Sequence, residues 1–347
     1  MSRERPAGAA PLGGLYQLGA ELIALVYIAI IAQIACATGA AYVLFPELGA
    51  LSHDVMTRPR GTWADAPLLL AITPALTGAA GIFFTRALPY GYLSVLLTVA
   101  SAIAIIFALR SPIAPAISAG LLPLVLGVKS WWYPPAIALG TVMLAVLSVP
   151  WKKLCAERAV APARAASDAA ADAGRLDDLD VLDDLIEEVP AGRLWLAALF
   201  AFVAVAVFFV KLTGLRFVLF PPLVVIGFEM LGHTAICPWA DKPIRLPVAC
   251  FLTALGGFVS WHFFGVTPLA AAVSMAWGIA VLRVCDLHVP PALAVALLPL
   301  VMDRPTIMYP FAVGIGTTLL ALWFLAWQRL SRGALSIPWA SRAAARQ

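Results

Sequence analysis

A chain of 347 residues that is 62% hydrophobic and only 12% charged, with a mean hydropathy of +0.94, is not a soluble domain. Soluble domains are about half apolar and a quarter charged. The net charge of +4 includes no basic stripe with interleaved aromatics, so nucleic acid is excluded as an expected partner and the lipid bilayer takes its place.

In chain order, residues 1–19 form a basic, loop-like tail that opens MSRERPAGAAPLGG. No small-residue cleavage site follows a short apolar core, so the first span is expected to be retained. Apolar segments of about 20 residues, enough to cross a bilayer core, lie at 20–43, 66–85, 89–109 and 132–150 within a first unit, 20–151. Residues 152–192 form an acidic linker. There RLDDLDVLDDLIEEV sets Leu176, Leu179, Leu182, Leu185, Ile186 and Val189 on one helical face, with acids opposite. It reads as an amphipathic connector, the alternative being a docking helix for a cytosolic partner. A second unit, 193–328, carries spans at 193–213, 246–264, 267–284 and 308–328, and residues 329–347 form a tail. The fold class expected is all-α: a polytopic helical membrane protein of two tandem repeats with about four spans each and Pro-led short or re-entrant helices.

The repeat is written in the residues. YVLFPEL at 42–48 matches FVLFPPL at 217–223, and WADAP at 63–67 matches WADKP at 239–243. LLPLV recurs at 121–125 and 297–301, and YPPAIALGT at 133–141 matches YPFAVGIGT at 309–317. The offsets are 217 − 42 = 175 and then 239 − 63 = 176, 297 − 121 = 176 and 309 − 133 = 176. Four blocks in one order indicate duplication. If each unit crosses an even number of times, the repeats are parallel and both tails and the linker lie on one side, whereas five crossings would invert one repeat against the other. The Lys and Arg residues of the tails and linker make that side cytoplasmic, in a cell inner membrane.

Between the spans lie shorter apolar pieces led by prolines: FPELGALSHDV, PIAPAISAGLLPLVLG, FPPLVVIGFEM and PPALAVALLPLV. Proline suits the first turn of a helix and not its interior. Pro290-Pro291 and Pro221-Pro222 should therefore each start a short helix, with Pro115 and Pro46 doing so in the first unit. A helix that begins inside a membrane leaves unpaired N–H groups and a partial positive charge at its start, which suits an anion. Beside these starts lie Arg283 and Asp286, spaced to pair at i, i+3, His288, which could couple proton movement, and Glu229, an acid amid apolar residues. Arg110 stands opposite Asp286 at an offset of 176, so the two units differ chemically. Gly78, Gly81, Gly256 and Gly257 read as close-packing positions. Trp131, Trp132, Tyr133, Tyr309 and Trp327 read as interfacial anchors.

From these residues the second unit resembles the HPP family of integral membrane proteins. It has a Pro-led piece at Phe220-Pro221-Pro222-Leu223, a loop at Ala240-Asp241-Lys242-Pro243-Ile244-Arg245, and a His-Pro-Pro signature before a small-residue run. Here that signature reads His288-Val289-Pro290-Pro291, with one residue inserted, and the first unit has no histidine at Pro112. The resemblance implies a four-span unit, present twice, and transport of a small anion.

The expected function is thus a transporter or permease for a small anionic solute. Its site would lie where the Pro-led helices converge, around Pro290, Pro291, His288, Asp286, Arg283, Arg110, Glu229, Pro221 and Pro222. The alternative is a membrane scaffold or sensor signalling through the linker. Enzyme chemistry is not expected: the chain has no nucleophile elbow, no H-E-x-x-H and no P-loop. The five cysteines lack C-x-x-C spacing and the four histidines form no ligand pair, so neither a cofactor nor a metal is expected.

Overall fold

The computed structural model describes residues 11–160, 194–234, 237, 239 and 242–335, so the acidic helical face of the linker lies outside the described residues. Among the described residues every regular element is a helix. In the first half these are α1 (Pro11–Thr38), α2 (Leu48–Thr57), α3 (Thr62–Asp65), α4 (Pro67–Ala87), α5 (Tyr92–Leu109), α6 (Ala116–Leu126) and α7 (Tyr133–Val160). The second half has α8 (Leu194–Thr213), α9 (Pro221–Gly232), α10 (Arg245–Phe264), α11 (Pro268–Val284), α12 (Pro291–Leu297) and α13 (Met308–Leu335). Short 3-10 turns precede α2 at Ala41–Val43 and α9 at Arg216–Leu219, and another extends α12 through Leu298–Val301.

Among the described residues seven helices are long and apolar enough to cross a membrane. An eighth span was expected at 267–284. There α11 has 17 residues, about 26 Å at 1.5 Å per residue, at the short end of what a bilayer core needs. Two boundaries differ from the sequence reading. The first span ends at Thr38, not 43, because Gly39 turns the chain at φ 71°. Helix also begins at Pro11, inside what read as a loop-like tail, and α7 runs on to Val160, into the linker.

The long helices turn apolar side chains outward as well as inward. Leu22, Val26 and Ile30, one turn apart on α1, are all about half exposed or more, while Ala24, Ile28 and Ile31 are fully covered. A helix apolar all round is one that lies in lipid. Glycine permits the closest approaches: a Cβ on Gly81 would stand 2.0 Å from the Gly120 carbonyl oxygen, and one on Gly257 would stand 2.1 Å from that of Ala296.

Contacts between distant residues define the two ends of the bundle. At one end Tyr16 stacks on Trp151, the Trp151 indole donates to the Met56 carbonyl at 2.9 Å, and the Trp63 indole donates to that of Pro112 at 3.0 Å. At the other, Arg86 donates to the Lys129 carbonyl at 2.8 Å. Segment 39–57 leaves the end of α1 and finishes beside Trp151. Segment 110–127 starts beside Trp63 and finishes before Lys129. Both Pro-led pieces of the first half therefore pass from one end to the other and do not turn back. With α1, α4, α5 and α7 that makes an even number of passes, which is why α1 begins where α7 ends.

The halves are interleaved. The first half's α1 packs on α11 of the second, and α8 of the second packs on α5 of the first. The short helices do the same at the centre: α2 meets α12, α6 meets α9, and α9 meets α12. α6, α9 and α12 are almost completely covered by protein along their lengths, and α2 nearly so. Tyr133 and Tyr309, read from sequence as interfacial anchors, are fully buried instead. Their hydroxyls donate to the Ala119 carbonyl at 2.9 Å and the Val295 carbonyl at 2.6 Å, tying α7 to α6 and α13 to α12.

Candidate functional site

The four short helices begin where the prolines foretold. Pro115 caps α6, Pro290 caps α12, Pro221 and Pro222 occupy the first turn of α9, and Glu47, after Pro46, caps α2. All four starts are buried. Their amides, however, are not bare. Leu48 N–H donates to the Phe45 carbonyl, Ala116 to Ile113, Leu223 to Phe220, and Ala292 to Val289, at 2.9–3.1 Å. The preceding turn is wound tightly enough to supply i−3 acceptors, which is one of the ways a helix end satisfies its orphan donors. The expectation of unpaired N–H groups awaiting an anion is corrected at these positions. What remains is the macrodipole, a partial positive charge at each of these buried starts.

The ionisable residues singled out from sequence separate into two sets. Arg110, Arg283, Asp286 and His288 are exposed at one end of the bundle. Glu229, near the end of α9, is buried at 3% exposure. Arg283 and Asp286, expected to pair with each other, have other partners. Arg283 Nη2 donates to both carboxylate oxygens of Glu21 at 2.6 and 2.5 Å. Asp286 accepts from Lys242 Nζ at 2.5 Å and from Arg245 Nη1 at 3.4 Å. The Lys242 ammonium beside it holds the Asp286 carboxyl below the usual carboxylate range. The pairing fails because the backbone bends: Asp286 takes φ 51°, closing α11 with a Leu287 N–H bond to the Leu282 carbonyl. Arg110 takes φ 49° and closes α5 in the same way, through Ser111 and Ile106.

Sequence reasoning missed three acids on the inside. Glu21 on α1 is 5% exposed and meets Arg283, with His53 Nε2 approaching to 3.8 Å, too long for a direct hydrogen bond. Asp54 and Arg58, both buried on α2, pair at 2.8 Å across one turn. Asp54 stands opposite Glu229 at an offset of 175. Glu47 is the third. It is 1% exposed, and neither carboxyl oxygen has a hydrogen-bond partner. Ser118 of α6 lies alongside it, although its hydroxyl does not reach hydrogen-bonding geometry. The signal for Glu47 was present: YVLFPEL against FVLFPPL sets an acid opposite Pro222.

Cavities indent the surface of the described residues. One of about 330 Å³ is apolar, lined by Ala35, Cys36, Leu44, Val266 and Leu300. Another, about 130 Å³, lies between the halves at the end where α7 and α13 begin, and is lined by Tyr42, Phe217, Val125, Val301, Asp303 and Arg304 among others. Neither is lined by the prolines or by His288. Among the described residues no cluster of three or more His, Cys, Asp or Glu could hold a metal. No protein-family model, no curated protein and no solved structure matches the chain.

Proposed function

We propose that the protein is a multi-pass transporter for a small anion, built from two tandem copies of one unit in the manner of the HPP family. The solute passes between the halves, where α2, α6, α9 and α12 meet. The termini and linker face the cytoplasm of a cell whose inner membrane holds the chain. The observation that carries this reading is that Pro-led short helices from both halves pack on one another in the centre, almost wholly covered, with ionisable residues among them. Broken helices and buried charge are costly at membrane depth and are tolerated where they line a solute path. Four buried helix starts favour an anion over a cation.

Paired contacts support the duplicated unit. Gly81 on Gly120 and Gly257 on Ala296 are the same contact 176 residues apart, as are the hydroxyl bonds of Tyr133 and Tyr309. Cross-packing of α1 on α11 and of α8 on α5 is what a twofold relation along the membrane normal would produce.

Counterflow in proteoliposomes tests the function. Purified protein should exchange at least one small inorganic or organic anion above protein-free vesicles. Glu229→Gln should lower the rate about tenfold or more, the scale of losing one interaction of about 1.4 kcal/mol. Absence of flux for every small anion would remove the reading.

A further inference from the structure

We propose that Glu47 is a proton-binding site in the membrane core, loaded from the cavity that Tyr42 lines. This goes beyond the transport reading and stands without it. Glu47 heads α2 at the junction of the two halves, with its carboxyl wholly covered and both oxygens unpartnered. A bare carboxylate charge in such a place costs several kcal/mol. Something must therefore accompany it, and the surroundings say what. From α6 comes the Ser118 hydroxyl. From α7 and α13 come Tyr133 and Tyr309, within electrostatic reach but with their hydroxyls committed to the Ala119 and Val295 carbonyls. From α12 come Leu293 and Leu297, packed on Gly49 beside it. Among the described residues no Lys, Arg or His acts on the Glu47 carboxyl.

That environment is too poor in oxygen for a metal cation, which wants about six oxygen ligands. A proton needs only one. The carboxylate takes it from water, becomes the neutral acid, and changes the local charge by one unit.

The acid is not required to build the turn. The equivalent turn in the second half is headed by Pro222, and Ser118's counterpart at an offset of 176 is Ala294. A polar pair in one half thus stands where the other half has an apolar pair, around the same backbone. Such a carboxyl in such a place is a functional group by default. The access route is the cavity of about 130 Å³ lined by Tyr42, Asp303 and Arg304, since Tyr42 lies five residues before Glu47 on the same segment.

An apolar carbodiimide, which reacts with the protonated carboxyl and not with the carboxylate, tests this on the intact protein in lipid, with adducts mapped by mass spectrometry. Glu47 should be labelled, and labelling should fall about tenfold per pH unit once the pH has risen far enough to ionise the group. A carboxylic-acid infrared band should follow the same pH course and be missing from Glu47→Gln. No adduct on Glu47, labelling that does not change with pH, or labelling blocked by sodium at fixed pH would each overturn the proposal. Flux plays no part in these readouts, so a failure of anion transport is distinguishable from a failure here.

Discussion

Arg283 on α11 and Glu21 on α1, 262 residues apart in the chain, meet through a single guanidinium nitrogen that reaches both carboxylate oxygens. The contact ties the first helix of one half to the third long helix of the other, and its two ends differ in burial. Glu21's side chain is 7% exposed and Arg283's is 48%. Removing one member of a fully buried pair costs about 3–5 kcal/mol, because the survivor is left as a lone buried charge. Here solvent screens the arginine, so the effect should be smaller and asymmetric. Arg283→Gln should destabilise by about 1–2 kcal/mol and Glu21→Gln by less. Unfolding midpoints in a mixed-micelle denaturant titration measure both. Equal effects, or none, would mean that the pair does not hold the halves together.

Backbone approach at the two glycine contacts gives a sharper stability prediction. A methyl on Gly81 or Gly257 would lie about 2 Å from a carbonyl oxygen on the facing short helix. That atom belongs to the backbone and has no rotamer by which to withdraw. Each Gly→Ala change should cost about 2–4 kcal/mol by forcing α4 from α6 or α10 from α12. Gly19→Ala is the control: its Cβ would meet nothing within 4 Å, so helix propensity alone should stabilise it slightly. Thermal unfolding in detergent reads all three, and similar losses at Gly81 and Gly257 are expected if the two contacts are equivalent.

Much of this was readable in advance, and the reasons are physical. Runs such as 89–109 and 193–213 reappear as Tyr92–Leu109 and Leu194–Thr213 because length and apolarity leave a membrane segment no other backbone solution. Pro221-Pro222 and Pro290-Pro291 start helices because proline has no N–H to lose there. What a linear reading could not supply was partnership. Nothing local says that Arg283 turns to Glu21 and not to Asp286 three residues on. That choice follows from α1 packing on α11 and from the bend at Asp286. The bare amides failed for a related reason: whether a first turn is wound as 3-10 is decided by the preceding segment, which looked like loop. Glu47 was passed over because nothing local to Pro46-Glu47 says which helices close around the carboxyl.

At the exposed end, Asp286 should make part of the structure acid-labile. Its carboxyl titrates lower in the folded chain than free, because Lys242 donates to it and Arg245 stands near. A depressed folded value means that the stabilisation is present above the ordinary aspartate range and is lost as pH falls through the folded value. Protection of residues 242–245 against hydrogen exchange, relative to the intrinsic rate at each pH, should therefore be constant around neutral pH and fall at strongly acidic pH. Asp286→Asn should show fast exchange throughout, with no acid step. A step that survives in Asp286→Asn would place its cause elsewhere.

The most direct measurement of the account is a thiol-accessibility map in lipid vesicles, in a background with Cys36, Cys155, Cys237, Cys250 and Cys285 replaced. Single cysteines at positions 43–48 and 218–223 sit where α2 and α9 begin, between the halves. A small water-borne thiol reagent should reach several of them despite their burial, and the transported anion should slow those reactions at least severalfold. Reaction rates at both segments indistinguishable from those of lipid-facing positions such as Val26, and unchanged by every anion, would contradict a solute path through the centre.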